Sequence, residues 1–181
     1  MYRDILRRLN FLFYLILALI AIAIQSTIFS YFPLNLLQPD FLLILVVYFG
    51  FQRSILEGSF LTASAALFFE LHSSNGKFFY LAIYLYVFLI SKLLSKTLVT
   101  PDSVASMGIV AALALFKKIG IAVLVTIYGR GVNGLFYYVL HTVPYILVQA
   151  LLTPVCFNWF RSIDLRTYKD EHAEDEYDLS R

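Results

Sequence analysis

Long apolar runs alternate with short polar breaks along nearly the whole chain. The first run, about Phe11 to Phe29, is long enough to cross a bilayer core of about 30 Å, which takes about 20 residues of helix. Pro33 within Ser30 to Gln38 ends it, because proline removes a backbone donor that lipid cannot replace. Pro39-Asp40 then opens a short second run, about Phe41 to Phe51, in which the Asp40 carboxylate is placed to cap the helix start. This run is expected to be tucked against the others. Gln52-Arg53 marks the next turn. A third run, about Ile55 to Leu71, is rich in the small residues that allow close helix approach.

His72 to Lys77 forms a polar turn before a fourth run, about Phe78 to Leu94, whose outer aromatic residues suit a membrane boundary. Pro101-Asp102-Ser103 reads as another helix start, and a fifth run reaches about Tyr128 with Lys117 and Lys118 inside it. Gly129, Gly131 and Gly134 frame a turn around Arg130. A sixth run, about Leu135 to Phe160, is expected to bend near Pro144 and Pro154. The pattern predicts an all-α fold: a polytopic membrane helix bundle of about six transmembrane helices.

Composition supports that class. The 181 residues are 60% hydrophobic and 14% charged, with mean hydropathy +0.77, well outside the soluble average. Two parts are expected: a transmembrane domain over 1–160 and a charged cytoplasmic tail over 161–181, too acidic to bury a core and read as disordered. The tail carries four Lys/Arg against seven Asp/Glu, so the formal +2 of the chain divides into about −3 and +5. Arg3, Arg7 and Arg8 before an apolar run resemble a signal peptide with a cleavage site near Ala21-Ile22-Ala23. The run continues to Phe29, which favours a span.

With six spans both termini share one side with the turns at Arg53 and at Lys92 to Asp102, and that side collects ten Lys/Arg. The other holds Lys77 and Arg130. The positive-inside rule therefore places both termini in the cytoplasm. Treating Ser103 to Tyr128 as re-entrant would put the basic Arg161 to Lys169 segment outside, and is disfavoured.

The candidate intramembrane polar residues are Asp40, Glu70, Lys117 and Lys118. Glu70 near the outer end of its span has Lys117 or Lys118 as nominal partners, although exposure at the interface and a structural role weigh more heavily. The two lysines lie about 22 Å from Ser103 along the helix. Neighbouring residues differ by about 100° in direction, so one can pair inside the bundle while the other snorkels along lipid. The candidate helix-packing interface is Gly58, Ser59, Thr62, Ala63 and Ala66, offered to a partner's transmembrane helix. Glu70, His72 and His141 match no metal motif, and there is no phosphate loop. A catalyst, a cofactor and a nucleic-acid partner are not expected. Cys156 is the single cysteine, which rules out an intramolecular disulfide.

Gln38-Pro39-Asp40-Phe41-Leu42-Leu43-Ile44-Leu45-Val46-Val47-Tyr48 resembles the start of a span in the bacterial rod shape-determining protein MreD family. Leu67-Phe68-Phe69-Glu70-Leu71-His72-Ser73-Ser74-Asn75-Gly76 resembles a second segment of that family, with Glu70 where the family usually has Asp. Ala65 and Ala66 stand where glycine is usual, and the acidic tail has no counterpart. The resemblance covers residues 1 to 160. It implies a non-enzymatic subunit of the cell-elongation machinery in the bacterial inner membrane. Its implied partners are an MreC-like bitopic protein, the MreB filament, RodA and a class B penicillin-binding transpeptidase. The fold it implies is similar to the substrate-binding S-components of energy-coupling factor transporters. That gives an alternative: a vitamin-type binding subunit using Glu70, Asn75, Lys77 and Arg130. Membrane lipids are implied by either reading, since a basic inner rim attracts anionic headgroups.

Overall fold

A computed structural model describes residues 2–27, 38–73, 78–97, 103–127 and 135–167, with the side chains of 2–9, 135–140 and 166–167 outside that description. Six helices follow one another: α1 Tyr2–Thr27, α2 Phe41–Gln52, α3 Ile55–Leu71, α4 Phe79–Thr97, α5 Ser103–Ile127 and α6 Leu135–Thr167. Four of them, α1, α4, α5 and α6, contain stretches long and apolar enough to cross a membrane. The protein is a multi-pass membrane protein with an all-α fold.

The helices run alternately up and down. Polar contacts place Asn10, Arg53, Lys92 and Asp164 at one end, and Gln25, Gln38, Asp40 and Tyr145 toward the other. α1 packs on α3, α3 on α4, α4 on α5, α5 on α6, and α6 returns to α1. This closes a ring of five, and α2 touches all five members. α2 is therefore the axis.

The α2 sequence explains why. Phe41 to Phe51 is apolar around the whole helix, apart from Gly50 and the Tyr48 hydroxyl, so no face prefers solvent or lipid over protein. Leu42 through Gly50 are all buried. Twelve residues rise about 18 Å, short of the roughly 30 Å core. The second of the six expected spans is thus a core helix, lined by Tyr14, Ala18 and Ile22 of α1, Leu61, Ala65 and Ala66 of α3, Tyr84, Val87 and Phe88 of α4, and Val110, Leu113 and Ala114 of α5.

Two glycines set the closest approaches. A Cβ on Gly50 would collide with the Ser91 side chain and lie 3.2 Å and 3.3 Å from the backbone of Ser91 and Lys92. On Gly58 it would lie 2.6 Å from the Phe88 ring and 3.4 Å from Arg53 Cβ. The small face of α3 thus serves the bundle itself: Gly58, Thr62 and Ala66 are buried, and Ser59 and Ala63 are half-buried. Leu56, Phe60, Leu67 and Leu71 form its exposed side instead.

α6 differs most from expectation. It runs through Pro144 and Pro154 as one helix and continues past Phe160 to Thr167, so residues 161–167 belong to the folded domain, with Asp164 bonded into it. The acidic run Asp170 to Glu176 lies outside the described residues, as do Asn75, Lys77, Arg130 and the glycines around Arg130.

Gly50→Ala is expected to destabilise the protein more than Gly58→Ala. The first drives a methyl toward backbone, the second toward a ring able to shift, and overpacking costs about 1–3 kcal/mol. Unfolding titrations in detergent micelles compare them, and equal stability of Gly50→Ala and the parent would refute the close α2–α4 approach.

Candidate functional site: carboxylate clusters at the helix ends

Pro39 cannot donate a backbone hydrogen bond, and the next residue, Asp40, caps α2: its Oδ1 accepts from the Leu43 amide at 2.9 Å. Three ring helices converge on the same carboxylate. Lys117 of α5 forms an ion pair with Oδ2. Tyr84 of α4 donates to Oδ1 at 3.0 Å and accepts from Lys117 Nζ at 2.9 Å. Tyr145 of α6 donates to Oδ2 at 2.9 Å. One turn on, Gln149 meets the Asp40 backbone, its amide oriented to accept from the N–H at 2.6 Å and donate to the carbonyl at 3.2 Å.

Asp40 and Lys117 are 2% and 5% exposed. A lone charge this deep would be very costly, and each meets the partners that offset its loss of water. Lys117 also lies 4.3 Å from the Tyr84 ring centroid. Lys118, half-buried, points differently, with its Nζ 4.5 Å from the Tyr145 ring centroid. Of the two adjacent lysines, Lys117 forms the inner pair with the acid.

Glu70 joins neither lysine. Its carboxylate accepts from the amides of Phe79, Tyr80 and Leu81 at 2.9, 2.8 and 3.1 Å. These are first-turn donors of α4 with no intrahelical acceptor, so a side chain from the end of α3 caps the next helix. Phe78 enters that helix at φ 64°, a left-handed conformation uncommon for a bulky residue. It brings the following amides around the carboxylate. His72 contacts the Phe68 carbonyl through Nδ1 at 2.9 Å, and His141 is exposed. Among the described residues, no three of His, Cys, Asp and Glu gather to hold a metal.

The other end of α2 carries a second carboxylate cluster. Arg53, the C-cap residue, is buried and donates from Nη2 to Asp164 Oδ1 at 2.6 Å and to Asn10 Oδ1 at 2.7 Å. Asp164 Oδ1 also accepts from Asn10 Nδ2 at 3.1 Å and Tyr14 at 3.0 Å, and Oδ2 accepts from Tyr48 at 2.6 Å. Glu57 lies 3.5 Å from Arg53 Nη1. Lys92 of α4 donates to the Arg53 carbonyl at 2.6 Å, covering the C-terminal end of α2.

Sequence reasoning placed Arg53 among the charges of the inner rim and Asp164 in the tail. The structure brings both into the bundle. Tyr84, Tyr145 and Gln149 were also missed. Their usable signal is spacing, since Tyr145 and Gln149 are four apart on one helical face.

Asp40→Asn or Lys117→Met alone is expected to cost about 3–5 kcal/mol, because each leaves the opposite charge buried without its partner. The double variant D40N/K117M should lose less than the sum, whereas Lys118→Met should cost about 1 kcal/mol, the scale of a cation–π contact. A double-mutant cycle in micelles reads this coupling, and strict additivity would contradict it. Glu70→Ala should cost about 1–2 kcal/mol, by analogy with loss of a helix cap. It should also speed hydrogen exchange at Phe79, Tyr80 and Leu81, and unchanged protection there would contradict the capping role.

No protein-family model, curated protein or solved structure matches this chain.

Proposed function

We propose that this protein is a non-enzymatic scaffold of the MreD kind, a subunit of the bacterial cell-elongation complex in the inner membrane with both termini in the cytoplasm. It holds an MreC-like bitopic protein and the peptidoglycan synthases, RodA and a class B penicillin-binding transpeptidase, in register with the MreB filament. One observation carries the reading. The acidic residues that bear the resemblance, Asp40 and Glu70, both fix helix positions, Asp40 joining α2 to α4, α5 and α6 and Glu70 joining α3 to α4. Acids used in this way suit a body that presents a fixed lateral surface to other membrane helices.

Helix association in lipid rests on close packing and interhelical hydrogen bonds, because lipid tails are as apolar as the side chains they cover. With Gly58, Thr62 and Ala66 turned inward, a partner approaching α3 meets Leu56, Phe60, Leu67 and Leu71. Partner choice on this surface is then a matter of shape.

Cross-linking a tagged full-length copy in its native cells, followed by identification of co-purified proteins, tests the proposal. Recovery of an MreC-like protein with a class B transpeptidase is the expected result. Recovery of a transporter ATPase with a coupling membrane subunit would replace it with the vitamin-binding reading.

A further inference from the structure

The donors that surround Asp164 come from the first part of the chain: Asn10 and Tyr14 of α1, Tyr48 of α2, and Arg53 at the α2 C-cap. Three converge on Oδ1 and one on Oδ2, a cationic set with the geometry of a carboxylate receptor. Two of its members also rest on α6 ahead of that carboxylate: the Tyr14 hydroxyl donates to the Phe160 carbonyl at 3.1 Å, and the Tyr14 and Tyr48 rings pack on the Phe160 ring at 6.2 Å and 5.2 Å. Arg53 bonds Asn10 directly, and its guanidinium carbon lies 5.2 Å from the Tyr14 ring centroid. The carboxylate it holds sits on the terminal stretch of α6. That stretch follows Phe160, which is buried in the core, and Arg161, Ser162 and Leu165 on it are exposed.

The two carboxylate clusters differ in access. Asp40 belongs to the central helix, is 2% exposed, and is enclosed by three ring helices. The Asp164 side chain is 14% exposed while that of Arg53 is fully covered, so this cluster has its ligand at the mouth and its cation at the base. We propose that Asn10, Tyr14, Tyr48 and Arg53 form a carboxylate-binding site whose resident ligand is Asp164 of the same chain. The end of α6 is then a displaceable latch, and a carboxylate supplied from outside α6 takes the same four donors when the latch opens. The assignment is independent of the scaffold role.

Asp164→Ala empties the site and provides the test, with sodium formate as probe and sodium chloride at matched ionic strength as control, using the full chain in detergent micelles. Asp164→Ala should unfold at a lower temperature than the parent. Formate should recover at least half of that loss with saturating dependence, chloride should not, and the double variant R53M/D164A should not respond to formate. Formate acting no better than chloride, or equally well on R53M/D164A, would overturn the assignment. If Asp164→Ala does not yield folded protein, Asp164→Asn keeps the side-chain shape and removes the charge. Spin labels at the exposed positions Leu56 and Leu165, each changed to Cys in a Cys156→Ala background, then report the latch. A longer or broader distance distribution in Asp164→Asn is expected, and one identical to that of the aspartate form would overturn the proposal.

Discussion

A buried helix must close its two ends within the protein, and the rest of the bundle is arranged around how α2 does so. Each end uses the same set of groups. Asp40 meets Lys117, Tyr84 and Tyr145 at the start, and Asp164 meets Arg53, Tyr14 and Tyr48 at the finish. The roles are exchanged between the ends, since α2 contributes the acid at its N-terminus and the cation just past its C-terminus. That order matches the helix dipole, which favours negative charge at the first turn and positive charge at the last. A purely apolar closure would leave backbone donors and carbonyls unmet in a medium that supplies none.

The five-helix ring follows from this centre. A helix apolar on every side demands neighbours on every side, and five is the number observed around it. The ring helices carry the length that α2 lacks, and they carry the groups that reach inward to its ends. Glu70 repeats the principle on a smaller scale: where α3 turns into α4, a carboxylate replaces the missing acceptors of an adjacent helix start.

Much of the fold was legible because apolar runs and prolines mark helices directly. Asp40 was legible as a cap, since a residue after proline and before an apolar run has a local role that spacing alone reveals. Lys117 and Lys118 stood out as a cost in a membrane span, yet the partner of Lys117 lies 77 residues away, and helical periodicity carries no information at that range. Glu70 was read mainly as structural, with the lysines as nominal partners. What spacing could not supply was the partner itself: backbone amides at a helix start, which serve an acid as well as a cation does. Asp164 was assigned to the tail because the charge density after Phe160 obscured the last two turns of α6. Tyr145 and Gln149 were hidden by the apolar residues around them, so that a shared face had no contrasting face to define it.

The pairing of α2 with late parts of the chain has a consequence for the order of synthesis. Asp40 emerges 77 residues before Lys117, and Arg53 emerges 111 residues before Asp164. Until α5 and α6 are made, the acid and the base at the ends of α2 lack these partners, and burying them in lipid is strongly unfavourable. The two ends of α2 therefore reach their finished contacts only once α5 and α6 have been made.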